Sequence, residues 1–190
     1  MIFGTFLAAR SRATARRMRA DGRKGSASLE FALIAPVFFL LLMGIVENGV
    51  IYFAGSTLQY ATDNAARYVR TGQAQTANLT QDQFRTRICN DIAPLLACNG
   101  NLQVDLQSYT GYSSANFTSP TVAGGAVNPA LNNYVPGTAC NVVLLRTFYT
   151  WHIITPVLSQ FLTNMTTGNH LITATAAFRN EPFTSSVSGC

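Results

Sequence analysis

The stretch Phe31–Val46, FALIAPVFFLLLMGIV, decides the organisation of this chain of 190 residues. It contains no charged residue, and after Glu47 the apolar character resumes through Gly49–Gly55, GVIYFAG. A bilayer core about 30 Å thick is crossed by a helix of about 20 apolar residues. Residues 29–54 supply that length if Glu47 lies near one interface. We therefore predict a transmembrane helix within residues 26–55.

The charged residues are distributed very unevenly around this stretch. Residues 1–25 contain seven basic residues and one acidic residue, whereas residues 26–190 contain six basic and seven acidic residues. The formal net charge of +5 therefore comes from the N-terminal segment. By the positive-inside rule, the N-terminus stays in the cytoplasm and the residues after about 55 are exported. A basic tail on a nearly neutral body also argues against a nucleic-acid-binding domain.

Two other interpretations of the apolar stretch compete with that of a membrane anchor. One is a buried core helix of a soluble protein, but a long uncharged run beside a dense basic tail is not typical of soluble cores. The other is a cleaved secretory signal peptide. Against it, the apolar run is longer than a typical signal-peptide core, Pro36 occurs early in it, and Ala54-Gly55-Ser56 is a weak match to a cleavage site. We therefore favour a membrane anchor.

A short motif precedes the apolar stretch. The basic pair Arg23-Lys24 is followed by Gly25, and Glu30 stands five residues after that glycine. An acidic residue at the head of a membrane helix is costly in lipid, although it faces the positive end of the helix dipole. The position of Glu30 therefore indicates a function.

The motif resembles a class III, or prepilin-type, leader sequence. In that family, an inner-membrane prepilin peptidase cuts after the glycine on the cytoplasmic side. The glutamate at position five of the mature chain then pairs with the N-terminal amine of a neighbouring subunit in the filament. The resemblance implies cleavage between Gly25 and Ser26, with Glu30 as the fifth mature residue. In the apolar core of a helical bundle a lone carboxylate is expensive, whereas a paired one is tolerated.

The block Gly25–Gly49 is also similar to the N-terminal signature of TadE-like proteins. These are pseudopilins or minor pilins of the tight-adherence (Flp, type IV) pilus system. The shared pattern is Glu30-Phe31-Ala32, then Pro36, then Gly44-Ile45-Val46-Glu47 with Gly49. The resemblance implies that Glu30, Phe31, Pro36 and Glu47 act in assembly or recognition. Residues 173–183, TATAAFRNEPF, are similar to the end of such proteins.

Two features of this segment, the role of Glu47 and the start of translation, each allow two interpretations. Glu47 lies about 25 Å beyond Glu30 along a helix, so the two cannot share a site within one chain. We favour the interpretation of Glu47 as a snorkelling acid at the outer interface over that of a subunit contact. In addition, Met18 lies inside the leader, and translation from it would leave a leader of eight residues.

The periodicity of the remaining sequence predicts a small exported domain. Apolar spacing predicts that the first helix runs from about residue 29 to residue 70, and that a second, capped by Thr80, covers residues 81–96. Strands are predicted at 102–109, 142–151 and 171–178, loops at 71–78 and 110–137, and a short helix at 153–164. We therefore predict an α+β fold. The resemblance implies a pilin-like form, in which a long N-terminal helix, transmembrane in its first half, packs on a small antiparallel sheet with one or two extra short helices.

Three segments follow: a basic leader at 1–25, a transmembrane helix at 26–55 and an exported α+β domain at 56–190. All four cysteines lie in the exported domain, which would be an oxidising compartment. Four cysteines allow three pairings. We favour a Cys89–Cys98 disulfide, since that separation suits a helix end closing onto the following loop, and this leaves Cys140–Cys190. With no CxxC spacing and no ligand spacing at either histidine, we predict no metal site.

No phosphate loop, HExxH, GxSxG or dinucleotide fingerprint occurs in the sequence, so we expect neither enzymatic activity nor a cofactor. The resemblance implies a minor pilin or pseudopilin of a Tad (Flp) pilus, processed by a prepilin peptidase and used in pilus assembly and surface adherence. The implied partners are that peptidase, other pilins and pseudopilins, the inner-membrane assembly platform and the lipid bilayer, with no nucleic acid.

The implied location is the bacterial inner membrane, with a single span, a cytoplasmic N-terminus and a periplasmic C-terminal domain, or an extracellular pilus after assembly. The alternative function is a membrane-anchored periplasmic binding or enzymatic domain that keeps an uncleaved N-terminal anchor.

Overall fold

The computed structural model describes residues 4–93, 95–123, 125–183 and 190 of the chain. The chain forms two compact units, Met1–Val46 and Glu47–Cys190. The second unit therefore begins nine residues before the predicted start of the exported domain at residue 56. In order, the elements are α1 (Gly4–Arg70), α2 (Gln73–Thr76), α3 (Gln81–Ile92), β1 (Leu102–Tyr109), β2 (Val142–His152), α4 (Ser159–Leu162) and β3 (Asn169–Arg179).

The first unit contains the part of helix α1 that ends at Val46. The helix begins at Gly4 and not at about residue 29, because the leader is rich in Ala and Arg, which have high helix propensity, and contains no proline. Pro36 lies inside the helix. Of the large apolar residues within 29–46, Leu40 is partly buried, and all the others are at least 41% exposed. A helix that is apolar all round requires an apolar surrounding.

This helix is also the one described helix that is long and apolar enough to cross a membrane. The candidate span lies within Gly25–Arg70, and no residue of its most apolar 18-residue window is buried. By length and composition alone, this helix near the N-terminus is therefore a candidate membrane span.

The second unit contains an antiparallel sheet with the strand order β1-β2-β3. Leu102 pairs with Tyr149 at one end of the β1–β2 ladder, and Val142 pairs with Arg179 at one end of the β2–β3 ladder. The predicted α+β class is confirmed. Strand β1 has the predicted bounds, β2 is one residue longer, and β3 is longer by two residues at its start and one at its end.

The second half of α1 packs against one face of this sheet. Its buried residues recur at helical spacing, with Ala54, Leu58, Ala61, Ala65 and Val69 all 1% exposed or less. Three of these five are alanines, so the helix backbone can approach the sheet closely. At the centre, the Thr62 and Thr147 hydroxyl oxygens form a buried hydrogen bond of 2.6 Å. This face, together with α3, forms the main hydrophobic core.

The connections after α1 differ from the predicted loop at 71–78. Gly72 has a φ of 77°, which favours glycine, and α2 follows it as a single short turn. Helix α3 starts with the predicted cap: Thr80 Oγ1 accepts from the Gln83 N–H, and Gln83 Oε1 accepts from the Thr80 N–H. It ends at Ile92 and not at residue 96, because Pro94 has no N–H to continue the helical ladder.

The predicted loop at 110–137 returns to the free edge of β1. The Leu106 N–H donates to the Asn133 carbonyl, and the Val135 N–H donates to the Leu106 carbonyl, both at 2.8 Å. A loop that pairs in this way covers an edge strand that would otherwise be open to aggregation. Beneath the loop, a second apolar cluster of Leu131, Phe148, Met165 and Leu171 forms a smaller core.

Candidate functional site

The proposed cleavage bond lies within α1, in the first unit. A Cβ added to Gly25 would have nothing within 4 Å, and the residue does not have a positive φ. Glycine in a helix interior is about 0.5–1 kcal/mol less favourable than alanine. Neither packing nor backbone geometry therefore requires glycine at position 25, and recognition by another molecule is a better reason for it.

Glu30 lies one helical turn after Ser26. The Ser26 hydroxyl donates to Glu30 Oε1 at 3.0 Å, and both side chains are exposed. The next residue, Phe31, is 69% exposed. This arrangement leaves the Glu30 carboxylate at the helix surface, where a cation on a second molecule can reach it.

Glu47 has a different environment, in the second unit. It is 5% exposed, and its carboxylate accepts hydrogen bonds from the Ile154 N–H at 2.6 Å and the Thr155 N–H at 3.2 Å. The interpretation of Glu47 as a snorkelling acid is therefore corrected, because its carboxylate is buried against the backbone that follows β2. The physical reason is that β2 ends at His152, so the next N–H groups have no strand partner and require another acceptor.

We expect Glu47→Ala to lower the free energy of unfolding of the second unit by about 1–3 kcal/mol, because two backbone N–H groups lose their acceptor. Denaturant unfolding of the detergent-solubilised chain measures the change. Glu47→Gln is the matched control, since its amide oxygen keeps one acceptor, and it should lose less stability than the alanine variant. An unchanged unfolding midpoint for Glu47→Ala would show that these two bonds do not hold the backbone at Ile154 and Thr155 to α1.

The two disulfides fall where the spacing favoured them. Cys89, near the end of α3, is bonded to Cys98, nine residues later. Cys140, just before β2, is bonded to Cys190. Paired cysteines are typical of proteins in oxidising compartments. They therefore agree with the expectation that this unit is exported.

A buried ion pair, which the sequence pattern did not predict, lies on the sheet face opposite α1. Asp105 in β1 and Arg146 in β2 are cross-strand partners, and Arg146 Nη2 is 2.8 Å from Asp105 Oδ2. The side chains are 0% and 7% exposed, respectively. Asn133 donates to the other carboxylate oxygen, and Arg146 Nη1 donates to the Thr118 carbonyl. The pair therefore ties the 110–137 loop to both strands.

The remaining polar groups form no cluster of metal ligands in the part of the chain that is described. No group of three or more His, Cys, Asp or Glu residues there could hold a metal ion. Burial, with a smaller contribution from Tyr68, raises the pKa of Tyr134, so this phenol stays neutral. An open groove of about 300 Å³ is lined by Asn64, Arg67, Tyr68, Gln73, Arg87 and Asp91. It offers charged and amide groups, and the Arg87 guanidinium lies 4.0 Å from the centre of the Tyr68 ring.

Comparison with known proteins adds one match. The family model described as TadE-like protein matches residues 25–67. No curated protein and no solved structure matches the chain. The matched segment starts at Gly25, includes Glu30, Pro36 and Glu47, and ends three residues before the end of α1. The resemblance to TadE-like proteins is therefore confirmed for residues 25–67.

Proposed function

We propose that this protein is a minor pilin or pseudopilin of a Tad pilus, a structural subunit without enzymatic activity that acts in pilus assembly and surface adherence. A prepilin peptidase cuts it between Gly25 and Ser26. The observation that carries the proposal is the TadE-like match, which begins at the glycine of the leader motif. The leader itself, with its basic residues, lies outside the match.

The exposed apolar surface of α1 supports a role in a helical assembly. Residues 29–46 present large hydrophobic side chains at the helix surface, and all of these except the partly buried Leu40 are exposed. Such a surface is stable in lipid before assembly and against the helices of other pilins after it. The partners of this surface are therefore the lipid bilayer and neighbouring pilins. The inner-membrane assembly platform brings the pilins together.

The geometry at Glu30 supports a pairing role after cleavage. Cleavage turns the backbone nitrogen of Ser26 into a charged amine, and the Glu30 carboxylate lies at the helix surface one turn away. In an apolar bundle, each Glu30 requires a cation, and the N-terminal amine of a neighbouring subunit supplies it. In the uncleaved chain, one oxygen of the Glu30 carboxylate accepts a hydrogen bond from the Ser26 hydroxyl.

The charge distribution supports the orientation of the chain in the inner membrane. The basic leader stays in the cytoplasm, where the peptidase acts, and the second unit crosses to the periplasm. Oxidation of the four cysteines follows export.

Mass spectrometry of the protein recovered from membranes tests processing. We expect the wild-type chain to begin at Ser26 and Gly25→Leu to keep its leader, because a large side chain blocks recognition of the cleavage bond. Gly49→Leu is the matched control: a Cβ on this helical glycine also has nothing within 4 Å, and processing should be normal. A wild-type chain that keeps residues 1–25 would refute the proposal and favour a membrane-anchored periplasmic binding or enzymatic domain.

A second arm of the same experiment separates processing from assembly. Glu30→Ala should still be cut after Gly25 but should be depleted from sheared pili. Asp63→Ala removes an exposed acid from the second half of the same helix and should be incorporated normally. Normal incorporation of Glu30→Ala would contradict the pairing role.

A further inference from the structure

The connection between β2 and β3 carries an unusual exposed surface. We call residues 153–162 the interfacial segment; it contains a 3₁₀ turn at Pro156–Leu158 followed by α4. Ile154, Val157 and Phe161 are 74%, 59% and 80% exposed. We propose that these side chains insert into the headgroup and upper acyl region of the bilayer, as a second membrane contact beside the anchoring helix. The inference rests on the proposed membrane anchoring of α1.

The composition of the segment fits a lipid interface. No Asp, Glu, Lys or Arg occurs between Arg146 and Arg179. Connections on a water-exposed surface are usually polar, and clustered large hydrophobic side chains indicate an interaction site. Within eight residues, this segment exposes three such side chains. Its polar groups are hydroxyls and amides, which the headgroup region accommodates without the cost of burying a charge.

Glu47 fixes the position of the segment along α1. Through its bonds to the Ile154 and Thr155 N–H groups, it holds the interfacial segment to the helix residue that directly follows the uncharged run Phe31–Val46. The apolar residues 29–46 span about 27 Å of helix, close to the thickness of the hydrocarbon core. The segment is therefore attached where the helix leaves the core.

Exposed aromatic residues occur on the same part of α1. Tyr52 and Phe53 are 81% and 59% exposed and lie about 8–9 Å beyond Glu47 along the helix. Aromatic side chains are enriched at the headgroup level of membrane proteins. The bonds to Glu47 form within a single chain. The interfacial segment can therefore contact the headgroup region of the bilayer before the chain binds any neighbouring subunit. That continuity with the apolar run selects lipid over a second copy of the chain as the occupant.

Tryptophan fluorescence in lipid vesicles tests the contact. Trp151 is the single tryptophan, so the variant Trp151→Phe has no tryptophan fluorescence. The variant loses no hydrogen bond, because the buried indole nitrogen of Trp151 has no partner among the described residues. In that background, Phe161→Trp is reconstituted as the full chain into vesicles of brominated phosphatidylcholine. We expect a blue shift and quenching by bromine in the upper acyl chain, as for a side chain about 5–10 Å below the headgroup boundary.

Two matched variants distinguish the possible results. Phe39→Trp reports the anchoring helix and should be quenched by bromine deep in the acyl chain. Tyr112→Trp, at a site 62% exposed in the loop after β1, should stay unquenched and accessible to iodide. Intact disulfides, measured by mass, show that each variant is folded.

Quenching of Phe39→Trp without quenching of Phe161→Trp would overturn this inference and leave the anchoring helix intact. Absence of quenching at Phe39→Trp would instead refute the membrane anchoring itself. The third result is a blue shift of Phe161→Trp without quenching that occurs only at a high ratio of protein to lipid. It would show that the segment contacts a second copy of the chain, and it would also overturn the inference.

Discussion

Replacing Asp105 by alanine is expected to lower the free energy of unfolding by about 3–5 kcal/mol, because it leaves the Arg146 guanidinium buried without its counter-charge. Arg146 cannot reach solvent easily, since its side chain is 7% exposed. Denaturant unfolding of the full chain in detergent, followed by the signal of Trp151 in the same unit, measures the loss.

The size of this effect also reflects the hydrogen bonds that meet at the carboxylate. Asp105 Oδ1 accepts from the Asn133 side chain at 2.8 Å and from the Asn133 N–H at 3.2 Å. Gln107 donates to the same carboxylate. The alanine variant therefore also releases the loop that covers the edge of β1, and it should become more sensitive to proteolysis at 110–137.

The exposed pair Arg70–Glu181 is the matched control. Its nitrogen and oxygen are 2.9 Å apart, but the side chains are 55% and 48% exposed. Glu181→Ala should therefore change stability by only about 0–1 kcal/mol. Equal losses for Asp105→Ala and Glu181→Ala would show that burial does not set the strength of the inner pair.

The parts of the fold that the sequence predicts well are those determined by neighbouring residues. Alternation in Leu102–Tyr109 depends only on which side chains face the core, and β1 has the predicted bounds. The cap at Thr80 and Gln83 is a bond between residues three apart. The TadE-like motif is likewise a local pattern, which is why the resemblance of residues 25–67 could be recognised from one sequence.

The parts that the sequence did not predict depend on distant partners. Glu47 bonds to backbone N–H groups more than 100 residues away, and every residue except proline carries such a group, so no side-chain pattern reveals the contact. Asp105 and Arg146 are 41 residues apart and meet only through the strand register. Asp105, a charged residue within the alternating sequence of Leu102–Tyr109, was the one sign of this pair in the sequence.

Removing the Cys140–Cys190 disulfide is the second change for which we expect a large effect. In the double variant Cys140→Ser, Cys190→Ser, we expect stability to fall by about 4 kcal/mol, because the disulfide closes a loop of about 50 residues and restricts the unfolded chain. The variant replaces both cysteines, so that no free thiol can form a new bond.

The native contacts around Cys140 explain why the folded state should survive this change. The Cys140 N–H donates to the Asn180 carbonyl at 3.2 Å, and Arg179 Nε donates to the Cys140 carbonyl at 2.9 Å. These bonds hold the start of β2 to the end of β3 without the disulfide. The loss should therefore appear as a lower unfolding midpoint of a protein that still folds, with the same strand content by circular dichroism.

The other disulfide provides the comparison that tests the reasoning. Cys89 and Cys98 are only nine residues apart, so their removal should cost about 2.5 kcal/mol on the same chain-entropy argument. Cys89 and Cys98 nevertheless pack against the main core, so a model based only on native packing predicts the larger loss at that disulfide. Measuring both double-serine variants by denaturant unfolding separates these explanations: a larger loss at Cys140–Cys190 assigns the stabilisation to the unfolded chain, and a larger loss at Cys89–Cys98 assigns it to the core.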